Sequence, residues 1–313
     1  MSYAQYGTIQ ATDFNTYAGG DPVTSSGTLN TVWATGGTNT GYGQTAIANV
    51  TAGSTVAAVT QWANLVNYTQ NCASHQGTSI TTVSAPVSGG LITYLSAIPT
   101  NLTTIYTSRL NAASQGTTTA NTATFASTWA ASLTFTHTVT FANTNAARYF
   151  FNAGGQLKVT CSHANTSTSI NTLYNGLASN IGTVVLSSPT TGSITVNSVS
   201  FNGVTKVGGG GNAPTILPNN GYYALTTSNA NVFTQLASTG PAAYLGSFIR
   251  IIAASNGSPG ATITIYTIWD EVPDGLTVGT GSATTVTLVA PETTYLPTAS
   301  WGTPTVSGTV TGS

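Results

Sequence analysis

The chain has 313 residues but only five Lys or Arg and six Asp or Glu, which gives a formal net charge of −1. Without clustered Lys and Arg there is little electrostatic attraction to nucleic acid or to an anionic membrane, so we expect neither as a partner. The apolar fraction of 40% is ordinary, which argues against a disordered chain of low hydrophobicity and high charge.

The first residues of the chain predict an arm followed by a short helix. Residues 3–10 are typical of a short strand or arm. Thr12 is a suitable N-cap for the helix that follows. Phe14 and Tyr17 then fall on one helical face, and Gly19 ends the helix.

Two longer helices are predicted next. One belongs to a strand-cap-helix unit over Val56 to Gln76, in which Thr60 is the cap that precedes the helix. The other covers residues 88–111, where apolar residues recur at spacings of three and four. Pro99 lies inside this second helix and removes one backbone N–H, so we expect a kink or two shorter helices.

Beyond these helices the pattern changes to short strands. Residues 114–122, with the sequence SQGTTTANT, are typical of a linker. A helix is predicted over residues 169–179. Alternating apolar residues between Gly, Asn and Pro turns predict strands over 124–141, 183–186, 194–204, 221–226, 231–237, 248–254 and 261–269.

The stretch YFFNAGGQLKVTCSH, residues 149–163, predicts a β-hairpin. The strand-forming residues YFF and LKVTC flank the turn NAGG, whose glycines can adopt a positive φ. In the second strand, Lys158 alternates with Leu157 and Val159. We therefore expect Lys158 to point outward, on the face opposite those two apolar side chains.

Together these elements predict an α+β fold in three parts. Residues 1–116 form a small N-terminal domain of helices and a strand. Residues 117–285 form a mainly antiparallel, jelly-roll-like β-sandwich. Residues 286–313, with three prolines, form an extended C-terminal arm that could lie on a neighbouring subunit.

Other features bear on where the chain works and with what. Cys72 and Cys161 are too few for a disulfide framework or a zinc site and are expected to be buried apolar residues. The N-terminus lacks the basic and apolar regions of a secretory signal, and no run reaches transmembrane length. Uncharged Thr- and Val-rich strands would aggregate if their edges were free, so we expect an oligomer that covers them.

One acidic cluster could carry chemistry. Asp270, Glu271 and Asp274 could ligate calcium or provide the acid pair of a glycosidase. The EF-hand pattern is absent, however, and a turn at Asp274-Gly275 explains the same residues. We favour the turn, so the three carboxylates are only weak metal candidates and we predict no catalytic residue and no cofactor.

The remaining candidates also have simpler structural explanations. His75, His137 and His163 are far apart in sequence, although His137 and His163 could face one another across adjacent strands. The run Gly208–Gly211 lacks the Lys of a phosphate-binding loop. The aromatic residues that could stack on sugars if exposed, and that otherwise belong to the core, are Trp33, Tyr42, Trp129 and Trp301.

Six stretches resemble, in this order, structural proteins of tailed-phage virions, including cyanophage-like ones. The stretches are YGTIQATDFNTYAG, LNTVWATGGTNTGYGQTAI, VTQWANLVNYTQNCASHQG, IYTSRLNAA, ARYFFNAGGQLKVTCSH and NGYYALTT. The resemblance implies a non-enzymatic particle component of the tail fibre or neck and collar appendage type. It also implies that residues 1–116 serve particle attachment or oligomerisation, and it supplies no active-site residues.

The resemblance also implies partners and a location. We expect a homo-oligomer, a trimer or a ring, that contacts other virion proteins and is assembled in the host cytoplasm. The β-rich part would project and could touch host surface glycans. The alternatives are a capsid decoration or tail-body protein, and a polysaccharide-degrading spike that uses Asp270, Glu271 or Asp274.

Overall fold

The computed structural model describes residues 11–19, 28–51, 58–87, 96–211, 214–238, 240–273 and 275–312. The helices within these ranges are α1 Ala11–Ala18, α2 Leu29–Trp33, α3 Ala58–Gln76, α4 Ala97–Thr107, α5 Thr144–Asn152 and α6 Ser169–Ile181. The strands are β1 Gln115–Phe125, β2 Ser132–Thr140, β3 Gln156–His163, β4 Thr183–Leu186, β5 Ile194–Val196, β6 Val199–Phe201, β7 Val204–Val207, β8 Thr215–Ile216, β9 Ala230–Leu236, β10 Phe248–Ser255, β11 Thr262–Asp270, β12 Ser282–Pro291 and β13 Thr305–Gly312.

The strands form two large sheets and one small hairpin. The five-stranded sheet has the order β1-β12-β3-β4-β7, and the six-stranded sheet has the order β13-β2-β11-β10-β9-β8. Strands β5 and β6 form the hairpin, and the paired strands in all three are antiparallel. N-terminal helices followed by a β-rich remainder confirm the predicted α+β class.

The two large sheets pack against each other in a sandwich-like arrangement. Trp269 of β11 is fully buried, and its indole N–H donates to Thr284 Oγ1 of β12 in the other sheet at 3.4 Å. The Trp269 ring also stacks on Tyr174 of α6, with 6.1 Å between ring centroids. Burying large aromatic side chains supplies much of the apolar surface removed from water here.

The N-terminal helices share this hydrophobic core. Phe14 of α1 contacts Trp62 of α3 edge to face at 5.2 Å, and Trp33 of α2 stacks on Tyr68 at 4.4 Å. The buried residues of these helices and of both sheets belong to one continuous cluster. The helical part therefore packs onto the sandwich and positions the loops between them.

The periodicity of the helices predicts most of their core contacts. Phe14, Tyr17 and Trp62 are buried as expected. The predicted caps are wrong, because α1 and α3 begin before Thr12 and Thr60 and include both residues. The expected arm at residues 3–10 lies outside the described residues.

The helix predicted over residues 88–111 is shorter in the described part of the chain. Helix α4 begins at Ala97 and ends at Thr107, while residues 88–95 lie outside the described ranges. Pro99 falls in the first turn of α4, where a backbone N–H has no intrahelical partner to lose. A proline is therefore tolerated at this position.

The predicted hairpin is wrong in its first half, because Tyr149–Phe151 belong to helix α5. The Asn143 side chain accepts a hydrogen bond from the Ala146 N–H at 2.9 Å and so caps the helix. Phe150 and Phe151 are buried on its inner face, and Gly154 turns the chain into β3 with a φ of 83°. Tertiary burial overrides the strand preference of the aromatic residues.

The second half of the hairpin prediction is confirmed. Leu157 and Val159 of β3 are buried, whereas Lys158 between them is only half-buried. The side chains of β2 alternate in the same way, with Leu133 and Phe135 buried. Both strands therefore have the register that their apolar alternation predicts.

Three stretches differ from their predicted structure. The expected linker at residues 114–122 is most of strand β1, an edge strand whose Thr side chains are exposed and so give no apolar alternation. Residues 222–224 form a 3₁₀ turn and not part of a strand, and residues 194–207 form three short strands. The C-terminal residues are extended as expected, and β12 and β13 pair with strands of the same chain.

Candidate functional site

A polar groove of about 620 Å³ opens where the N-terminal helices meet the sandwich. Its walls come from three segments that are distant in sequence: residues 38–39 in the glycine-rich loop, residues 107–111 after α4, and residues 189–194 before β5. The Tyr223 side chain completes the lining. A groove of this volume can hold a small ligand or part of a longer polar chain.

Two side chains of α5 hold the glycine-rich loop in place. The Arg148 guanidinium donates to the carbonyls of Thr35, Gly37, Thr38 and Thr40. These four carbonyls surround one cation, so the loop is bound through its backbone. One half-buried guanidinium thereby fixes the conformation of an uncharged loop through several charge-assisted hydrogen bonds.

Asn152 makes the second contact with this loop. Its amide nitrogen donates to the carbonyls of Thr40 and Gly41, both at 3.0 Å, and its oxygen accepts from the Tyr223 hydroxyl at 2.6 Å. Burial raises the pKa of Tyr223, so that hydroxyl stays protonated and can donate. One fully buried amide thus connects two walls of the groove.

Arg109 contributes the positive charge of the groove. Its Nε donates to the Asn39 carbonyl at 3.0 Å, and its Nη1 donates to the Tyr106 carbonyl at 2.9 Å. The guanidinium also lies over the Tyr106 ring, 4.5 Å from the centroid. Since Tyr106 is in the last turn of α4, Arg109 satisfies a terminal carbonyl and opposes the negative end of the helix dipole.

Hydroxyl groups dominate the rest of the lining. Thr190, Thr191 and Ser193 are exposed, and Ser108 is half-buried. These four side chains make no hydrogen bond to other residues in the described ranges. Their hydroxyls can both donate and accept, so the groove can bind a ligand that carries several hydroxyl or amide groups.

The predicted acidic cluster has a structural role where it is described. Glu271 is fully buried, and its carboxylate accepts from the backbone N–H groups of Gly275 at 3.4 Å and Leu276 at 3.1 Å. Asp270 ends β11, and its carbonyl accepts from the Tyr174 hydroxyl. Asp274 lies outside the described residues. The contacts of Glu271 match the predicted turn.

The structure does not bring His137 and His163 together, because β2 and β3 belong to different sheets. His163 lies in a buried chain of hydrogen bonds: Trp129 Nε1 donates to Ser282 Oγ at 3.2 Å, and Ser282 Oγ lies 3.0 Å from His163 Nδ1. His163 Nε2 is 3.3 Å from Asn171 Oδ1. Because the amide oxygen can only accept, Nε2 carries the hydrogen and Nδ1 accepts from Ser282.

This Ser–His–Asn order is similar to that of a nucleophile, a base and an orienting group, but it is sealed from solvent. Ser282 is fully buried and His163 is 2% exposed. Burial lowers the pKa of His163, opposed by its contact with Asn171, which favours the neutral ring. A substrate cannot reach the hydroxyl, so the chain of hydrogen bonds stabilises the sandwich.

His75 and Glu292 form a buried hydrogen-bonded pair. His75 Nδ1 lies 2.8 Å from Glu292 Oε1, and the carboxylate also accepts from the N–H groups of Thr294 and Tyr295. Burial raises the pKa of Glu292, but the His75 and Thr294 contacts outweigh it and lower that pKa. The pair ties α3 to the segment between β12 and β13.

The other predicted candidates belong to the core or to a loop. Cys72 and Cys161 are free thiols, one buried and one half-buried. Lys206 donates to the Gly210 carbonyl, so the run Gly208–Gly211 is held as a loop beside α6. The aromatic residues considered for sugar stacking are all buried, at 3% exposure or less: Trp33, Tyr42, Trp129 and Trp301.

No protein-family model matches the chain, and neither curated proteins nor solved structures contain a match. Among the helices in the described ranges, none combines the length and apolarity needed to cross a membrane. The groove was missed by sequence reasoning because its hydroxyls come from three separate segments.

Proposed function

We propose that the chain is a non-enzymatic structural component of a tailed-phage virion, an oligomeric tail or neck appendage attached through its N-terminal part. The six sequence stretches named above support the virion assignment. The low charge and the hydroxyl- and amide-rich surface suit a protein that works outside cells and contacts neutral partners.

The observation that carries the adhesive part of this proposal is the groove. Its free hydroxyls, at Ser108, Thr190, Thr191 and Ser193, match the donors and acceptors of a saccharide. Tyr223 offers part of an aromatic ring beside them, and Leu110 offers an apolar contact. We propose that a host surface glycan is the ligand of the groove.

A capsid decoration protein or a tail-body protein remains the alternative within the particle. Copy number separates these roles, because an appendage occurs in tens of copies or fewer and a decoration protein in hundreds. Quantitative mass spectrometry of purified particles should find the chain at the lower number. Absence of the chain from purified particles would refute a virion role of any kind.

A polysaccharide-degrading spike is not favoured by the contacts of Glu271. The Glu271 carboxylate is fully buried and accepts hydrogen bonds from two backbone N–H groups, so it stabilises the turn and is not accessible to a substrate. The wild-type chain should release no reducing sugar from host polysaccharide. Release that is lost in Asp270→Asn would contradict the non-enzymatic proposal.

The glycan contact can be tested by filling the groove. Thr191 is exposed and lies in the groove wall, so Thr191→Trp places a bulky ring in the ligand space without removing a hydrogen bond of the fold. Thr227→Trp is the matched control, because Thr227 is equally exposed and lies outside the groove. The affinity of the purified chain for host cells should fall about tenfold in Thr191→Trp and stay unchanged in Thr227→Trp. A tenfold fall corresponds to a loss of roughly 1.4 kcal/mol of binding free energy. Equal binding by both variants would exclude the groove.

A further inference from the structure

The two sides of the sandwich end in very different edge strands. On one side, β7 has four residues and includes Lys206, while β8 has two residues and lies between Pro214 and Pro218. Short strands, lysine and proline are the devices by which proteins prevent edge-to-edge pairing. This side of the sandwich is therefore protected.

The other side of the sandwich has longer strands without lysine or proline, and its one irregularity among the described residues is a register shift in β1 between Gln115 and Thr118. Strand β1 has 11 residues with the sequence QGTTTANTATF, and β13 has eight with the sequence TVSGTVTG. Neither contains a charged residue or a proline. Among the described residues, no strand pairs with the outer edge of β1 or of β13.

These two edges lie side by side and form one surface, which we term the β1/β13 rim (residues 115–125 and 305–312). Gly308 of β13 allows close approach, because a Cβ at this position would lie 2.5 Å from Asn121 Oδ1 of β1. Phe125 of β1 likewise packs against Gly312. The rim therefore presents the edges of both sheets together.

Strand β1 also has little to hold it in an isolated chain. Its residues 117–120 are all exposed, and Ala123 is its one buried residue. Among the described residues it pairs through its backbone with β12 alone, and the hydroxyls of Thr122 and Thr285 lie 2.7 Å apart across this pair. Strand β13 of the other sheet packs against part of one face. An 11-residue strand with one paired edge and an exposed stretch at residues 117–120 gains stability from a second paired strand.

We propose that the outer edge of β1 binds a second copy of this chain by strand addition, which extends the five-stranded sheet across the subunit boundary. The occupant is another copy, because an uncharged Thr-rich edge offers backbone pairing and self-complementary hydroxyl contacts but no charge to select a different partner. This inference rests on the proposed function in that it names the surface through which the appendage oligomerises.

The test places charge on the rim and measures mass in solution. Thr118 and Ala120 are exposed and lie on the same face of β1, so the double variant Thr118→Lys/Ala120→Lys alters no buried contact. Lysines from two copies would repel one another across the new strand pair. Val207→Lys/Thr215→Lys is the matched control, since it adds the same charge at exposed positions on the protected side.

Light scattering on the full chain should give a multiple of the 31.7 kDa subunit mass for the wild type and for the control. The rim variant should give the single subunit mass, with far-UV circular dichroism and a melting temperature like those of the control. An oligomer that persists in the rim variant would overturn the strand-addition interface. It would not affect the proposed virion role, which the mass spectrometry of purified particles tests separately. A wild type that stays at 31.7 kDa at all concentrations would also overturn it.

Hydrogen exchange gives a second readout that does not depend on charge. Within residues 117–120, the N–H groups that point away from β12 should exchange about tenfold more slowly in the oligomer than in the rim variant, because strand addition pairs them, whereas the N–H groups that face β12 are already paired. The same residues would exchange equally fast in both proteins if the oligomer used another surface.

Discussion

The Asn152 side chain connects the groove to the core, and removing it should lower both the stability of the fold and the order of the glycine-rich loop. The change Asn152→Ala deletes three hydrogen bonds, to the carbonyls of Thr40 and Gly41 and from the Tyr223 hydroxyl. The Thr40 carbonyl keeps its contact with Arg148. The Gly41 carbonyl and the Tyr223 hydroxyl lose the partner that Asn152 provides.

The expected cost follows from these three contacts. At roughly 0.5–1.5 kcal/mol for each hydrogen bond, the free energy of unfolding should fall by about 2–4 kcal/mol. The better helix propensity of Ala at the end of α5 offsets a few tenths of this. Because the glycine-rich loop loses an anchor, residues 36–44 should also exchange their amide hydrogens faster.

Urea unfolding followed by circular dichroism measures the first effect, and hydrogen exchange measures the second. Asn229→Ala is the control, because Asn229 is exposed and its side chain makes no hydrogen bond to the described residues. The control should change stability by no more than about 0.5 kcal/mol. A loss below about 1 kcal/mol in Asn152→Ala would refute the reasoning, because the three contacts would then contribute little.

Three further predictions concern the pH dependence, a helix cap and the thiols. Burial lowers the pKa of His137 and of His163 below 6.5, so these histidines take up protons at a higher pH in the unfolded chain than in the folded one. The free energy of unfolding should therefore decrease as the pH falls below about 6.5, and urea titrations of His137→Leu should show a weaker dependence on pH. Asn143→Ala removes the cap of α5 and should cost about 1 kcal/mol in the same assay, whereas an unchanged midpoint would argue against the cap. Burial raises the pKa of Cys72, whose side chain is fully buried, so this thiol should not react with an aromatic disulfide reagent until the chain is unfolded; rapid labelling of Cys72 in the native protein would show that it is accessible. The half-buried Cys161, whose pKa is raised to about 12, should react more slowly than a free thiol in the native protein.

Sequence periodicity predicts those elements that bury one face. Helix α6 and strand β2 follow the expected spacing, and their apolar residues, such as Leu173 and Phe135, are buried. The alternation around Lys158 also gives the correct register for β3. In each case one local pattern coincides with one face of the core.

The pattern fails where tertiary contacts decide. Tyr149–Phe151 have strand-forming side chains, yet the cap at Asn143 and the burial of both phenylalanines favour α5. Strand β1 was predicted as a linker because its exposed Thr residues show no apolar alternation. An edge strand whose residues 117–120 are all exposed carries no periodic apolar signal for its conformation over that stretch.

The candidate site could not be predicted from any local motif. Arg109, Thr191 and Tyr223 are separated by long stretches of sequence and meet only through the packing of the helices on the sandwich. The segment SSPTTGS, residues 187–193, was the available signal, since a run of small polar residues between strands predicts an exposed loop. That signal identifies a loop and gives no information about what it faces.

Electron microscopy of purified phage particles, labelled with gold-conjugated Fab fragments raised against this chain, tests the proposed function most directly. Fab fragments avoid a terminal tag, which would lie next to β13 and the rim. Gold should appear only at the tail or neck. Gold distributed evenly over the capsid, or missing from the particles, would contradict an appendage role.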